Sequence, residues 1–136
     1  MKAYVTSIGE KTTDICVWQL KRLGFDVVLM DKMQVWFDKY LEFIFTAYDD
    51  CVRIDADVIV NKNFLEALRF VSKPSMTQFK YYCFYANAVR IGSPVFYSEE
   101  VLENIRKDFN LVKIRKDFNL VGRARPETDA SRIPSV

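Results

Sequence analysis

The stretch Cys51-Val52-Arg53-Ile54-Asp55-Ala56-Asp57-Val58-Ile59-Val60 decides how the rest of the chain is read. An apolar run ends in two carboxylates spaced i, i+2, and then turns apolar again. Side chains alternate along a strand, so Asp55 and Asp57 at its carboxyl end share a face. Two neighbouring carboxylates repel each other, and a cation between them relieves the cost. Oxygen ligands suit a hard divalent ion, Mg²⁺ or Mn²⁺, which in turn grips a diphosphate.

The segments on either side set this strand in an alternating pattern. Ala3 to Ile8 reads as a first strand, ended by Gly9. Thr13 is a helix cap, Cys16, Leu20 and Leu23 share a helical face, and Gly24 stops the helix. Val27 to Met30 is a short apolar strand that ends at Asp31. Trp36, Tyr40, Phe43 and Ala47 recur at helical spacing, which predicts a second helix over 32–47. Asp49-Asp50 makes the turn into the third strand. Asn61 caps a helix with Phe64, Leu65, Leu68 and Val71 on its apolar side. Met76 to Ala88, rich in Tyr and Phe, reads as one or two strands, Gly92-Ser93-Pro94 as a turn, and Ser98 as the cap of a last helix. The order β-α-β-α-β-α-β-α argues for an α/β fold with a mostly parallel, Rossmann-like sheet between helical layers, a three-layer sandwich. Ligands in such sheets bind beyond the carboxyl ends of the strands, where Ser7, Asp31, Asp55 and Asp57 all fall.

Composition narrows the chemistry. The chain has 136 residues, half of them hydrophobic and 15% aromatic, enough for one domain spanning 1–136 with a core. It has no histidine, which removes Ser-His-Asp and Cys-His catalysis and leaves carboxylates, Lys, Tyr or Cys for acid–base work. Cys16, Cys51 and Cys83 are scattered in apolar contexts, form no zinc-type pair, and read as buried thiols of a reducing compartment. The amino terminus begins with a strand-like run in place of a signal peptide, and no apolar stretch reaches membrane-spanning length, so a cytoplasmic location is expected.

Ile105 to Val112 recurs without change as Ile114 to Val121, an offset of nine residues. On a helix that offset is about 900°, half a turn out of phase, so the two copies cannot bury the same side chains in one regular element. The reading is a tandem duplication over 105–121, with one copy helical, the other a loop or irregular extension, and an irregular tail over 122–136. Net charge is only +2, but basic residues gather from Arg106 onward. No nucleic acid is expected as a partner, binding through the basic tail being a distant reading with only Phe109 and Phe118 to stack; the tail's charge also suggests peripheral membrane association.

The Asp55-Ala56-Asp57 strand resembles the DXD strand of nucleotide-sugar glycosyltransferases with the GT-A fold, in particular family 2. Tyr4-Val5-Thr6-Ser7 resembles that family's first strand and nucleotide-binding turn, and Thr13 to Leu29 its first helix and second strand. Ile91 to Ser98 is similar to its acceptor-side strand, and Arg125-Pro126-Glu127-Thr128-Asp129 to the late acidic motif of its inverting members. The resemblance implies a metal-dependent, inverting transfer of a sugar from a nucleoside-diphosphate sugar to a glycan or other acceptor hydroxyl. It assigns Asp55 and Asp57 to Mn²⁺ or Mg²⁺, Ser7, Glu10, Asp31 and Asp55 to the nucleotide-sugar, and Glu127 or Asp129 to the catalytic base. Members of the family continue with further helices, so it also implies a short carboxyl-terminal end. Two alternatives stand beside it: a non-catalytic nucleotide-sugar-binding protein, and a haloacid-dehalogenase-type phosphatase, whose nucleophile motif Asp55-Ala56-Asp57-Val58 also fits.

Overall fold

The computed structural model describes residues 1–31, 36–83 and 86–119, with the backbone alone for 36–38 and 111–119. In chain order the elements are β1 (Lys2–Thr6), α1 (Thr13–Arg22), β2 (Asp26–Met30), α2 (Trp36–Thr46), β3 (Cys51–Asp55), α3 (Lys62–Leu68), β4 (Met76–Cys83), β5 (Ala88–Tyr97) and α4 (Glu99–Asn119). Among the described residues the fold is mixed α/β, a five-stranded open sheet of order β2-β1-β3-β5-β4 with four helices.

β1 pairs in parallel with β2 on one side and β3 on the other. The two crossovers leave β1 and β2 in opposite directions across the sheet. Right-handed connections of opposite direction put α1 and α2 on opposite faces. Strand alternation then fills both faces. Ala3, Val5, Val52, Ile54 and Phe96 join Cys16 and Leu20 of α1 and Phe64 of α3 in one core. Tyr4, Cys51, Val95 and Tyr97 join Tyr40, Phe43 and Ile44 of α2 and Leu102 and Ile105 of α4 in the other.

The sheet corrects the expectation of a mostly parallel one. β5 is antiparallel to β3 and to β4, so two of the strand pairings are parallel and two antiparallel. The cause is the β4–β5 hairpin, which turns the chain back against β3 without a crossover helix. Gly92-Ser93-Pro94, expected as a turn, lies inside β5. Gly92 takes φ +143, where a side chain is strained, and the buried Ser93 accepts a hydrogen bond from Asp55 N–H at 3.0 Å. The segment is thus extended chain with a kink before its pairing with β3 begins at Val95.

Smaller departures have local causes. Thr12, and not Thr13, occupies the cap position of α1, and its hydroxyl donates across to the Ala56 carbonyl at 2.7 Å. The helix after Asn61 stops at Leu68, short of Val71, although Val71 still packs on the core. α4 runs through the first copy of the duplication and on to Asn119 in the second, so the second copy is helical backbone as far as it is described and not a loop. Ile105 is buried and the Phe109 ring lies tilted against those of Tyr40 and Phe45, which anchors the first copy. Cys16 and Cys51 are buried as expected, whereas Cys83 is half-buried on β4. Among the described residues no helix is long and apolar enough to cross a membrane.

Candidate functional site

The carboxyl ends of β1, β2 and β3 lie side by side, in register from Thr6 to Met30 and from Thr6 to Asp55. Ser7, Asp31 and Ala56, the residues that follow these strands, therefore lie at one end of the sheet. β3 sits centrally, between β1 and β5, and Asp55 is its last residue. Ala56 N–H still bonds the Thr6 carbonyl at 3.0 Å, and Val58 N–H folds back to the Asp55 carbonyl at 3.0 Å. The turn thus sends Asp57 outward while Ala56 stays buried.

Asp55 is held from three directions. Thr6 Oγ1 donates to its Oδ1 at 3.1 Å, Arg53 Nη1 lies 3.4 Å from the same oxygen, and its backbone N–H donates to Ser93 Oγ. Arg53 is 6% exposed, on the core face of β3, with its guanidinium 6.0 Å from the Phe43 ring centroid. Burial works against its charge, but the Tyr97 phenol and Asp55 outweigh it and raise the pKa. The carboxyl of Asp57 is raised above the usual carboxylate value, first by burial, then by the charges of Asp55 and Glu10. Burial also pushes the Cys16 thiol up to about 11, with Asp57, Asp55 and Glu10 adding to it. The shared influence of these three carboxylates marks one acidic region at the end of β3, which Lys39 of α2 also faces.

Ser7 and Glu10 belong to the same region but are occupied locally. Ser7 is 1% exposed, and its hydroxyl bonds Glu10 Oε1 at 3.1 Å and Thr13 Oγ1 at 2.9 Å while accepting from Gly9 N–H. Glu10 Oε1 also accepts from Ile8 N–H at 2.6 Å. Desolvation favours the neutral acid, yet the bonds from backbone amides and Ser7 hold the Glu10 carboxyl below its ordinary value. These two side chains therefore build the β1–α1 loop. Asp31 is exposed directly after Met30, whose carbonyl accepts from Ser7 N–H at 2.9 Å. Glu127 and Asp129 lie outside the described residues.

Among the described residues no three Asp, Glu, Cys or His side chains gather closely enough to hold a metal by themselves. The donor set is nonetheless all oxygen, and Asp55 Oδ2 takes no hydrogen bond from a described residue. That fits a Mg²⁺ or Mn²⁺ ion completed by phosphate oxygens and water, the usual way these ions are bound. An apolar groove lined by Met1, Leu23, Phe25, Leu65 and Leu68 lies at the opposite, amino end of the strands and has no part in this region.

No protein family model matches the chain, and no curated protein matches it. Among solved structures it is similar to A197 from STIV, at TM-score 0.52 and 15% identity, over 76% of this chain and 68% of that one. At that identity the likeness is one of fold alone. The resemblance to GT-A family 2 glycosyltransferases is corrected accordingly: no family match supports it, and the chain is not assigned to that family. Its most specific part, two Asp residues after an apolar strand, is too short a pattern to mark a family. Sequence reading also missed Thr6, Ser93 and Arg53. A signal for Arg53 was present, since a charged residue inside an apolar strand, two before Asp55, must share its face.

Proposed function

We propose that the carboxyl end of the sheet binds a nucleoside-diphosphate sugar through a divalent cation, and that the protein transfers the sugar to an acceptor hydroxyl. We also read the two cores as the halves of a three-layer, Rossmann-like arrangement, whose strand ends are the usual ligand side. The observation that carries the proposal is that Asp55 closes the central strand β3 and Asp57 follows in the turn two residues on, with its carboxyl raised by burial and by the charges of Asp55 and Glu10. Asp55 and Asp57 would hold the Mn²⁺ or Mg²⁺ ion. When bound, that ion supplies charge neutralisation for a diphosphate leaving group. Asp31, exposed after β2, would meet the nucleoside beside the diphosphate. Ser7 and Glu10 would shape that side of the site through their loop, with Gly9 and Ile8 amides fixed by it. Glu127 or Asp129 would take the proton from the acceptor hydroxyl, the role of a carboxylate in a chain without histidine.

Two β-α units precede Asp55, which speaks for a cation-holding role at a central strand end over a phosphatase nucleophile on a first strand. Calorimetry with a panel of UDP- and GDP-sugars, with and without Mn²⁺, tests binding. The expected result is Mn²⁺-dependent binding that Asp57→Ala abolishes. Release of free nucleoside diphosphate on adding a glycan acceptor separates a transferase from a binding protein.

A further inference from the structure

We propose that Thr6 and Arg53 lock one oxygen of Asp55, so that its carboxylate offers a cation a single oxygen and the site prefers Mn²⁺ over Ca²⁺. The proposal rests on the reading that Asp55 and Asp57 hold a divalent cation.

Both locking groups converge on Oδ1: the Thr6 hydroxyl at 3.1 Å and Arg53 Nη1 at 3.4 Å. Neither can swing away, since Thr6 is 1% and Arg53 6% exposed. The bond from Asp55 N–H to Ser93 Oγ fixes the backbone from the β5 side. Oδ2 is the oxygen left for a ligand, on a side chain that is 42% exposed. Arg53 Nε has no hydrogen-bond partner among the described residues. A buried guanidinium with an unpaired donor is a costly way to gain stability alone, and an apolar residue would fill the same space at less cost. The Tyr97 phenol and Asp55 together stabilise the charge, and through Nη1 that charge also orients Asp55.

The consequence follows from coordination chemistry. Mg²⁺ and Mn²⁺ favour compact octahedral sites, whereas Ca²⁺ takes more oxygens and accepts a carboxylate through both of them. A carboxylate with Oδ1 engaged can give only one. Released, it can turn and grip the larger ion with two.

The test is a titration of the full chain with MnCl₂ and with CaCl₂, each in the presence of UDP and of GDP as probes. Wild type is compared with Thr6→Val, Arg53→Lys and Asp57→Asn. Thr6→Val removes only the hydroxyl; Arg53→Lys keeps the charge but shortens its reach. The wild type is expected to bind Mn²⁺ about tenfold more tightly than Ca²⁺, and that ratio to fall about threefold or more in each lock variant. The ratio is insensitive to a general loss of folded protein, which lowers both affinities alike. If Arg53→Lys does not fold, Thr6→Val decides. An unchanged ratio in folded Thr6→Val, with wild-type Mn²⁺ binding lost in Asp57→Asn, overturns the lock and leaves the cation reading standing. No binding of either ion by wild type overturns both.

Discussion

Asp57 carries the clearest trace of tension at a single residue. Burial and the neighbouring Asp55 and Glu10 raise its pKa, so the folded protein holds its proton more tightly than the unfolded chain does. The sign follows. Its contribution to stability is full below the ordinary value of 3.8 and is lost as pH rises through the raised value. At neutral pH the charged Asp57 therefore costs stability in the absence of a cation. Asp57→Asn is expected to stabilise the metal-free protein slightly, by about 0.5 kcal/mol or less given its exposure, while removing any stabilisation by Mn²⁺. Thermal melts with and without Mn²⁺ check both halves. A variant less stable than wild type without metal contradicts the account of this residue.

The elements are held by contacts at their ends, and these carry sharper predictions than the helix interiors. Arg106 of α4 donates through Nη1 to the carbonyls of Ile44 and Ala47, at 3.0 and 2.6 Å, and lies 4.1 Å from the centroid of the Tyr48 ring. It closes the carboxyl end of α2 from another helix. Hydrogen bonds to a charged donor each contribute about 1.5–3 kcal/mol, so Arg106→Ala should cost about 2 kcal/mol in urea denaturation. Asp50 does the converse for α4: its Oδ1 accepts from Glu99 N–H at 2.8 Å, and Lys73 pairs with the other oxygen. The Lys73 bond, with that from Glu99, lowers the Asp50 pKa. A lowered carboxyl contributes stability above its unfolded value that is lost as pH falls through its folded value. Asp50→Ala should therefore cost about 1 kcal/mol at pH 7, and melts at falling pH should show the gap closing below the ordinary value of 3.8. At the amino end of α3, Asn61 Oδ1 accepts from Asn63 N–H at 2.9 Å, and Asn61→Ala should cost about 1 kcal/mol in the same denaturation experiment.

Legibility also differs by element. Strands β1 and β3 and the apolar faces of α1 and α2 were readable, because an apolar run or a helical period records burial directly; β2 was readable as a strand, but it lies at the sheet edge with Leu29 exposed. Asn61 was readable as a cap for the same local reason. The hairpin was not. Gly92-Ser93-Pro94 has the composition of a turn, and its place inside β5 depends on the long-range contact of Ser93 with Asp55. Thr12 likewise leaves its own helix to bond Ala56, a choice set by the tertiary fold. The nine-residue offset of the duplication reverses the face that could be buried, which pointed to a loop, whereas α4 continues as helical backbone to Asn119. At the site, Asp55 and Asp57 were visible from their spacing, and Ser7 and Glu10 from their position after β1. That Ser7 and Glu10 spend their hydrogen bonds on their own loop was not visible, since it depends on loop geometry.

At the largest scale the described residues form one sheet with a core on each face, and both cores draw on the same strands. Leu20 in one and Leu102 in the other are fully buried. Leu20→Ala and Leu102→Ala should each cost about 2–5 kcal/mol, and each should shift a single unfolding transition, because β1, β3 and β5 couple the two faces. Two separable transitions would contradict that coupling. The same sheet brings the β1, β2 and β3 ends to one side, and the central claim is that this side holds a diphosphate through a cation. The most direct measurement is isothermal titration calorimetry of the full chain with UDP- and GDP-sugars, with and without Mn²⁺, beside Asp57→Ala. The account predicts binding of at least one nucleotide-sugar that requires Mn²⁺ and disappears in Asp57→Ala. Absence of nucleotide-sugar binding in both conditions, or binding that is indifferent to Mn²⁺ and to Asp57, would contradict it.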